Sequence, residues 1–262
     1  MDIIQTVLAM SKNNENEGDY YKDGLLHCGK CHTPKQLKLH LAGKEYTVFC
    51  LCKCESERVK AQELLEAEQK KLERLDYMRG YCFPSESMWE IRFGTPDDDQ
   101  RVKRYVEHFE EMRKLKTGML LYGATGTGKS YAAAQVCNAL IDKGYRCRYT
   151  SFLRIAEDRL AGNSFVLNFD LVVFDDLGVE RKSDFMSDVV FDAIDSCVKC
   201  GKPMIITTNL SIQEIKTPTN LRDGRIYDRV IERCVPVEFS GKNLRRRAVC
   251  ENYNEVKEVL GL

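Results

Sequence analysis

The sequence has no excess charge of either sign: 40 Lys and Arg are matched by 40 Asp and Glu. A global basic field that would hold nucleic acid is therefore excluded, and any such contact has to come from a local patch. It also has no long apolar run. No stretch approaches the roughly 20 residues that cross a bilayer. The start, Met1 to Glu17, has neither the basic opening nor the apolar centre of a signal peptide. The expectation is a cytoplasmic protein with no membrane partner. No fixed-period repeat is present. Cysteine, by contrast, is abundant. The cytosol keeps thiols reduced, so the twelve cysteines need a role other than disulfides.

A hydrophobic content of 43% is ample for a core. The length allows one large domain, or one domain and a smaller module. Four zones differ in character. Residues 1–24 are polar and read as a flexible lead-in. Residues 25–79 carry five cysteines between Cys28 and Cys54, then a charged stretch with Val59, Leu64, Leu65, Leu72 and Leu75 at roughly helical spacing. The cysteine region contains a hairpin pattern, Gln36–Leu41 and Glu45–Phe49 around an Ala42-Gly43 turn. Residues 80–97, with Gly80, Pro84, Gly94 and Pro96, read as a linker. Residues 98–262 form the main domain. Asp97 to Lys116 suits one helix, with Val102, Tyr105, Val106, Phe109 and Met112 on one face. Short apolar runs then alternate with helical stretches: 118–122, 146–150, 171–174, 203–207 and 235–238. That alternation predicts an α/β fold with a doubly wound, mostly parallel sheet covered by helices on both faces.

The run Met119-Leu120-Leu121-Tyr122 leads into Gly123-Ala124-Thr125-Gly126-Thr127-Gly128-Lys129-Ser130, and a helix starts at Lys129 and continues through Tyr131 to Ile141. Strand, glycine-rich loop and helix in that order are the context a phosphate-binding loop requires. Its backbone N–H groups cradle phosphates at a helix N-terminus. Lys129 would reach the β- and γ-phosphates of ATP, and Ser130 would ligate Mg2+. A second strand, Leu171–Phe174, ends in Asp175 and Asp176. Asp175 would hold Mg2+, and Asp176 would orient and polarise the attacking water. A third strand ends in Thr207-Thr208-Asn209, where Asn209 would contact the γ-phosphate or the lytic water. The chemistry is that of an ATPase.

Cys28-Gly29-Lys30-Cys31 and Cys50-Leu51-Cys52-Lys53-Cys54 are two knuckles a hairpin apart. Four thiolates from two knuckles bind one tetrahedral Zn2+, and a segment this short needs a cross-link because burial alone cannot hold it. The expected ligands are Cys28, Cys31, Cys52 and Cys54, with Cys50 as the alternative and His27, His32 and His40 as possible substitutes. The lone pair Cys197 and Cys200 is read as structural.

The loop at 123–130, Val172-Val173-Phe174-Asp175-Asp176-Leu177-Gly178, Ile206-Thr207-Thr208-Asn209 and Gly224-Arg225-Ile226-Tyr227-Asp228-Arg229-Val230 together resemble the AAA+ ATPases. The closer resemblance is to the DnaC/DnaI-type helicase loaders and their IstB relatives, over about residues 90–250. This resemblance implies that Arg229 is an arginine finger supplied to a neighbouring subunit, with Arg225 its nearest competitor. It implies that Asn209 is the sensor-1 residue and Arg245 the sensor-2 arginine. Arg229 also has a plainer reading, a surface salt bridge with Asp228 or Glu232. By the same resemblance the zinc module and its helix are an arm that docks on a hexameric replicative helicase, and the ATPase contacts single-stranded DNA and self-associates through its ATP site. The alternatives are an IstB-like transposition helper, or an adaptor gated by ATP without hydrolysis, because many such ATPases carry Glu where Asp176 stands. A zinc ribbon gripping nucleic acid through Lys30, Lys35, Lys38, Lys44 and Lys53 is the remaining reading of the arm.

Overall fold

The computed structural model describes residues 15–41, 43–163, 168–179, 183–241, 243, 244, 257 and 260. The chain divides into two compact units, Met1–Glu73 and Arg74–Leu262.

In the first unit, β1 (Tyr20–Lys22) and β2 (Leu25–His27) pair antiparallel, as do β3 (Gln36–Leu41) and β4 (Lys44–Phe49). The loop Asp23-Gly24 has φ of 51° and 75°, the positive values a two-residue hairpin turn needs to match strand twist. The expected turn residue Ala42 lies outside the described residues. The apolar core is small, Leu26 and Val48, and a buried ion pair of Lys35 with Asp19 at 2.5 Å lies beside it. Lys35 is therefore withdrawn from any nucleic-acid surface, and Lys38 is engaged by Glu45 at 2.7 Å.

Helix α1 (Lys53–Cys82) begins within the second cysteine knuckle and crosses the division at residue 73. Thirty residues at 1.5 Å each make it about 45 Å long. Leu64, Leu65 and Leu72 are exposed along it, so these three leucines of the expected amphipathic helix have no core beneath them, whereas Leu75 packs on the core of the second unit.

The second unit contains α2 (Gln100–Glu107), α3 (Phe109–Leu115), β5 (Gly118–Tyr122), α4 (Lys129–Asp142), β6 (Cys147–Ser151), α5 (Phe152–Leu160), β7 (Leu171–Leu177), α6 (Asp184–Lys199), β8 (Met204–Thr208), α7 (Ile212–Lys216), α8 (Leu221–Arg233) and β9 (Cys234–Glu238). The five strands pair in parallel in the order β6-β7-β8-β5-β9. Alternate strand residues feed two cores. Met119, Leu121, Val173 and Ile205 face α2 and α4. Leu120, Val172, Phe174, Met204 and Ile206 face α5, α6 and α8. The sheet is thus covered on both faces, as the apolar runs predict. The helix expected over 97–116 is two helices, broken at His108, where φ of −101° and ψ of 24° leave helical geometry. Asp99 caps the first by accepting from the N–H groups of Arg101 and Val102.

Residues 80–97 differ from the linker that composition suggests. Cys82 and Phe83 are buried, and Met88, Trp89, Ile91 and Phe93 pack on the core. The segment is a strap tied to α4. Asn138 donates to the carbonyls of Met88 (2.8 Å) and Ile91 (3.0 Å). Gln135 donates to Arg92 O (3.0 Å) and to Asp98 (2.7 Å). Both amides are almost wholly buried. Each bond therefore satisfies a polar group that would otherwise be stranded.

Candidate functional site

The turn from β5 into α4 is made possible by Gly123, Gly126 and Gly128, with φ of 136°, 84° and 97°. At Gly123 space also demands glycine, because a Cβ would fall 2.1 Å from the backbone oxygen of Phe239. Lys129 opens α4 and is 5% exposed. Its ammonium donates to the carbonyls of Gly123 (2.8 Å) and Ala124 (2.7 Å) and to Asn209 Oδ1 (2.9 Å). The loop lysine and the polar end of β8 are therefore brought together. Asn243 and Leu244 clip onto the same loop. Asn243 Nδ2 donates to Thr125 O at 3.1 Å and Leu244 N to Gly126 O at 2.8 Å. Arg245, one residue on, lies outside the described residues.

A cavity of about 570 Å³ opens here, lined by loop residues from Thr125 to Tyr131 with Lys129 and Ser130 among them, by Asp176 and Asn209, and by the apolar side chains of Met88, Ile91, Val179 and Leu244. Polar donors beside an apolar wall suit a ligand with phosphates and a flat base. Met88 and Ile91 were not expected. They lie in the strap, where the only sequence signal was apolar side chains inside a Gly- and Pro-marked segment.

Asp175 and Asp176 stand at the carboxyl end of β7, where the pairing with β8 shifts register. Asp176 lines the cavity. Asp175 lines an adjoining cleft of about 280 Å³ with Tyr149, Ser151 and Arg154. Tyr149 connects it to the loop helix. The phenol donates to Ser130 O at 3.4 Å, and burial, then the charge of Asp175, push its ionisation well above the ordinary tyrosine range.

Arg229 and Arg225 project from α8 onto α6, and neither lines this cavity. Arg229 Nε lies 3.2 Å from Asp195 Oδ1 and Nη1 lies 2.9 Å from Glu232 Oε2. Arg225 stacks over the Phe191 ring at 4.7 Å. Within one chain, then, Arg229 makes the plainer of its two expected contacts.

In the first unit, Cys28, Cys31, Cys52 and Cys54 gather their sulfurs within 4.8 Å of one another. Cys50 is not among them; its sulfur turns to Pro34 O. His27 and His32 bond to Leu25 O and Tyr20, and His40 lies beside Glu45. A tetrahedral ion with metal–sulfur bonds of about 2.3 Å sets its sulfurs roughly 3.8 Å apart, and Cys28–Cys54 and Cys52–Cys54 stand at 3.6 and 3.4 Å. The Thr33 hydroxyl holds the Cys31 thiol down at about 5. The neighbouring sulfurs of Cys52, Cys31 and Cys28 push Cys54 up to about 12. Four sulfurs at this spacing form a donor set that fits a thiophilic cation. Cys197 is buried, Cys200 exposed, and neither joins such a group among the described residues.

The chain matches the family described as IstB-like ATP binding protein over residues 53–251. It is 25% identical over 167 residues to the replicative helicase loader DnaC of Escherichia coli K12, covering 58% of this chain and 65% of that protein. It is 23% identical over 165 residues to the replicative helicase loader DnaI of Bacillus subtilis, covering 56% and 53%. An insertion-sequence ATP-binding protein of Sinorhizobium fredii is 28% identical over 144 residues, covering 51% and 48%. The chain thus spans less than two thirds of the length of these relatives. Among solved structures, the DnaC helicase loader aligns with a TM-score of 0.51 at 22% identity, over 60% of this chain and all of that one. DnaI aligns with 0.50 at 22% identity, over 62% and 95%. These likenesses establish a P-loop α/β fold of the AAA+ kind. With a family match over residues 53–251, most of its length, the chain belongs to the IstB-like ATP-binding protein family.

Proposed function

We propose that the chain is an ATP-dependent helicase loader: it docks on a hexameric replicative helicase and helps place that ring on single-stranded DNA. The observation that carries this reading is the four-cysteine module ahead of an ATP-binding unit related to DnaC and DnaI. A transposition helper leaves such a module without a task. Cys28, Cys31, Cys52 and Cys54 would hold Zn2+, which supplies a cross-link in place of an apolar core. The exposed Leu64, Leu65 and Leu72 of α1 add apolar surface for a partner.

In the ATP site, the loop from Gly123 through Tyr131 receives the phosphates, and Met88, Ile91, Val179 and Leu244 receive the base. Ser130 and Asp175 would hold Mg2+, which would supply charge neutralisation at the phosphates. Lys129 leaves its carbonyl partners to bind phosphate oxygens, Asn209 senses the γ-phosphate, and Asp176 accepts a hydrogen bond from the attacking water. Arg229 enters a neighbour's site in trans once it leaves Asp195, so self-association and hydrolysis are linked.

The test is co-purification of the full chain with a hexameric replicative helicase, for the parent, for Cys28→Ser/Cys31→Ser, and for a triple Leu64, Leu65 and Leu72→Ser variant. The parent binds and both variants lose the helicase. Unchanged retention in both would sink the loader reading. The Sinorhizobium relative and the family match favour a second reading, a helper ATPase for a transposase; stimulation of strand transfer without helicase binding selects it. An ATP-gated adaptor is selected if turnover is undetectable and Asp176→Glu restores it.

A further inference from the structure

Strand β7 carries one residue more than its neighbour between Phe174 and Leu177. Phe174 pairs with Ile206 and Leu177 with Thr208, so Asp175 and Asp176 together stand opposite Thr207. A bulge disrupts the ladder bonds its residues would otherwise make. Two hydroxyls of β8 compensate. Thr208 Oγ1 donates to Leu177 O at 2.7 Å. Thr207 Oγ1 accepts from the Asp176 N–H at 2.9 Å and donates to Asp175 Oδ1 at 2.6 Å.

Proton counting fixes these directions. An amide only donates, so the hydroxyl accepts there, and its single proton goes to the carboxylate. Thr207 is fully buried, so water does not compete for either bond. Its β-branched side chain is stiff about χ1, so the two bonds share one rigid pivot. What they hold is strained: Asp176 has φ of 61°, a left-handed conformation uncommon outside glycine.

We infer that Thr207 is the positioning residue of the acidic pair, its one hydroxyl setting the rotamer of Asp175 and holding the backbone turn that aims Asp176 into the nucleotide cavity. The inference rests on the reading of Asp175 as the Mg2+ side of the site and Asp176 as the water side. Thr207 touches neither ligand; it acts through the two carboxylates. Asp175 fixes where the metal sits and Asp176 where the water sits, so the Thr207 hydroxyl fixes their separation.

The experiment compares the parent with Thr207→Val, which removes the hydroxyl at nearly constant shape, with Thr207→Ser, which keeps it, and with Asp175→Asn. ATP binding is titrated without Mg2+ and then against Mg2+, and steady-state turnover is measured alongside. Thr207→Val is expected to raise the Mg2+ midpoint, or lower kcat, by about 10- to 100-fold, as loss of a partner behind a metal ligand does. Its Mg2+-free ATP binding stays at the parent value, and Thr207→Ser stays within about threefold of the parent throughout. A general packing defect would move Mg2+-free binding as well. The inference is overturned if Thr207→Val matches the parent in Mg2+ midpoint and kcat while Asp175→Asn loses its Mg2+ response. If Asp175→Asn keeps that response, the reading of Asp175 falls and takes the inference with it. Should Thr207→Val fail to fold, Thr207→Ala against Thr207→Ser isolates the hydroxyl, and equal Mg2+ midpoints in those two overturn it.

Discussion

At the scale of single residues, Lys129 has a structural duty beside the phosphate contact proposed for it. It donates to two loop carbonyls and to Asn209. Lys129→Ala removes that donor together with the phosphate contact. We predict at least a tenfold loss of ATP affinity by isothermal titration, and a lower thermal midpoint in the nucleotide-free protein, equivalent to roughly 1–3 kcal/mol. An unchanged nucleotide-free midpoint would show that the carbonyl contacts contribute nothing. Asp98 is the second such residue. Burial opposes its charge, but bonds from the Gly94 N–H, Gln135 and Thr95 outweigh burial and hold its carboxyl well below the usual carboxylate range. A depressed native value stabilises the fold above the unfolded value of about 3.9, and that stability is lost as pH falls through and below it. The parent should therefore lose thermal stability more steeply than Asp98→Asn between about pH 5 and pH 2. Parallel curves would refute the assignment. The glycine-rich turn between β5 and α4 and the acidic end of β7 were legible because residue type and spacing announce them locally. The bulge at Asp175 and Asp176 was not, since nothing local in a run of apolar residues ending in two aspartates announces an extra residue in register.

At the scale of elements, α8 lies along α6 with its arginines already engaged. Arg222 meets Asp184, Arg225 covers Phe191, and Arg229 meets Asp195, a carboxylate that Lys199 also contacts at 2.6 Å. A trans role for Arg229 has to exchange these contacts for a neighbour's phosphate. Arg229→Ala should then lower turnover by about 100-fold or more while nucleotide binding is kept. Mixing it with Lys129→Ala should restore part of the rate, because some boundaries pair an intact loop with an intact finger. A rate no higher than the sum of the separate variants argues against the trans finger. The five strands were readable from apolar runs because strands buried on both faces have no alternation to obscure them. The break at His108 was not, because it carries neither glycine nor proline. The strap was misread because Pro84, Gly94 and Pro96 outweighed Phe83, Trp89 and Phe93.

At the scale of the whole molecule, each unit holds itself together by different means. The ATP-binding unit has two apolar cores flanking a sheet, whereas the cysteine unit has Leu26, Val48 and a buried ion pair. Metal analysis should find one zinc per chain. Removing it with a chelator should abolish the ordered amide signals of residues 15–52 and leave ATP affinity within about twofold, since structural zinc supplies folding energy outright only where the core cannot. Intact amide signals after metal loss would show that this small core suffices. Among the described residues no helix is long and apolar enough to cross a membrane.

The strap and the phosphate loop share one mount. Met88 and Ile91 hang from Asn138, nine residues along the helix that Lys129 opens, so the apolar wall and the phosphate cradle keep a fixed separation. A pocket built this way works as a caliper. Adenosine and tripolyphosphate offered separately would each occupy one jaw weakly. Joined at the right length, the second end docks at the effective concentration set by the first, and a nucleotide too short to reach both jaws forfeits that gain.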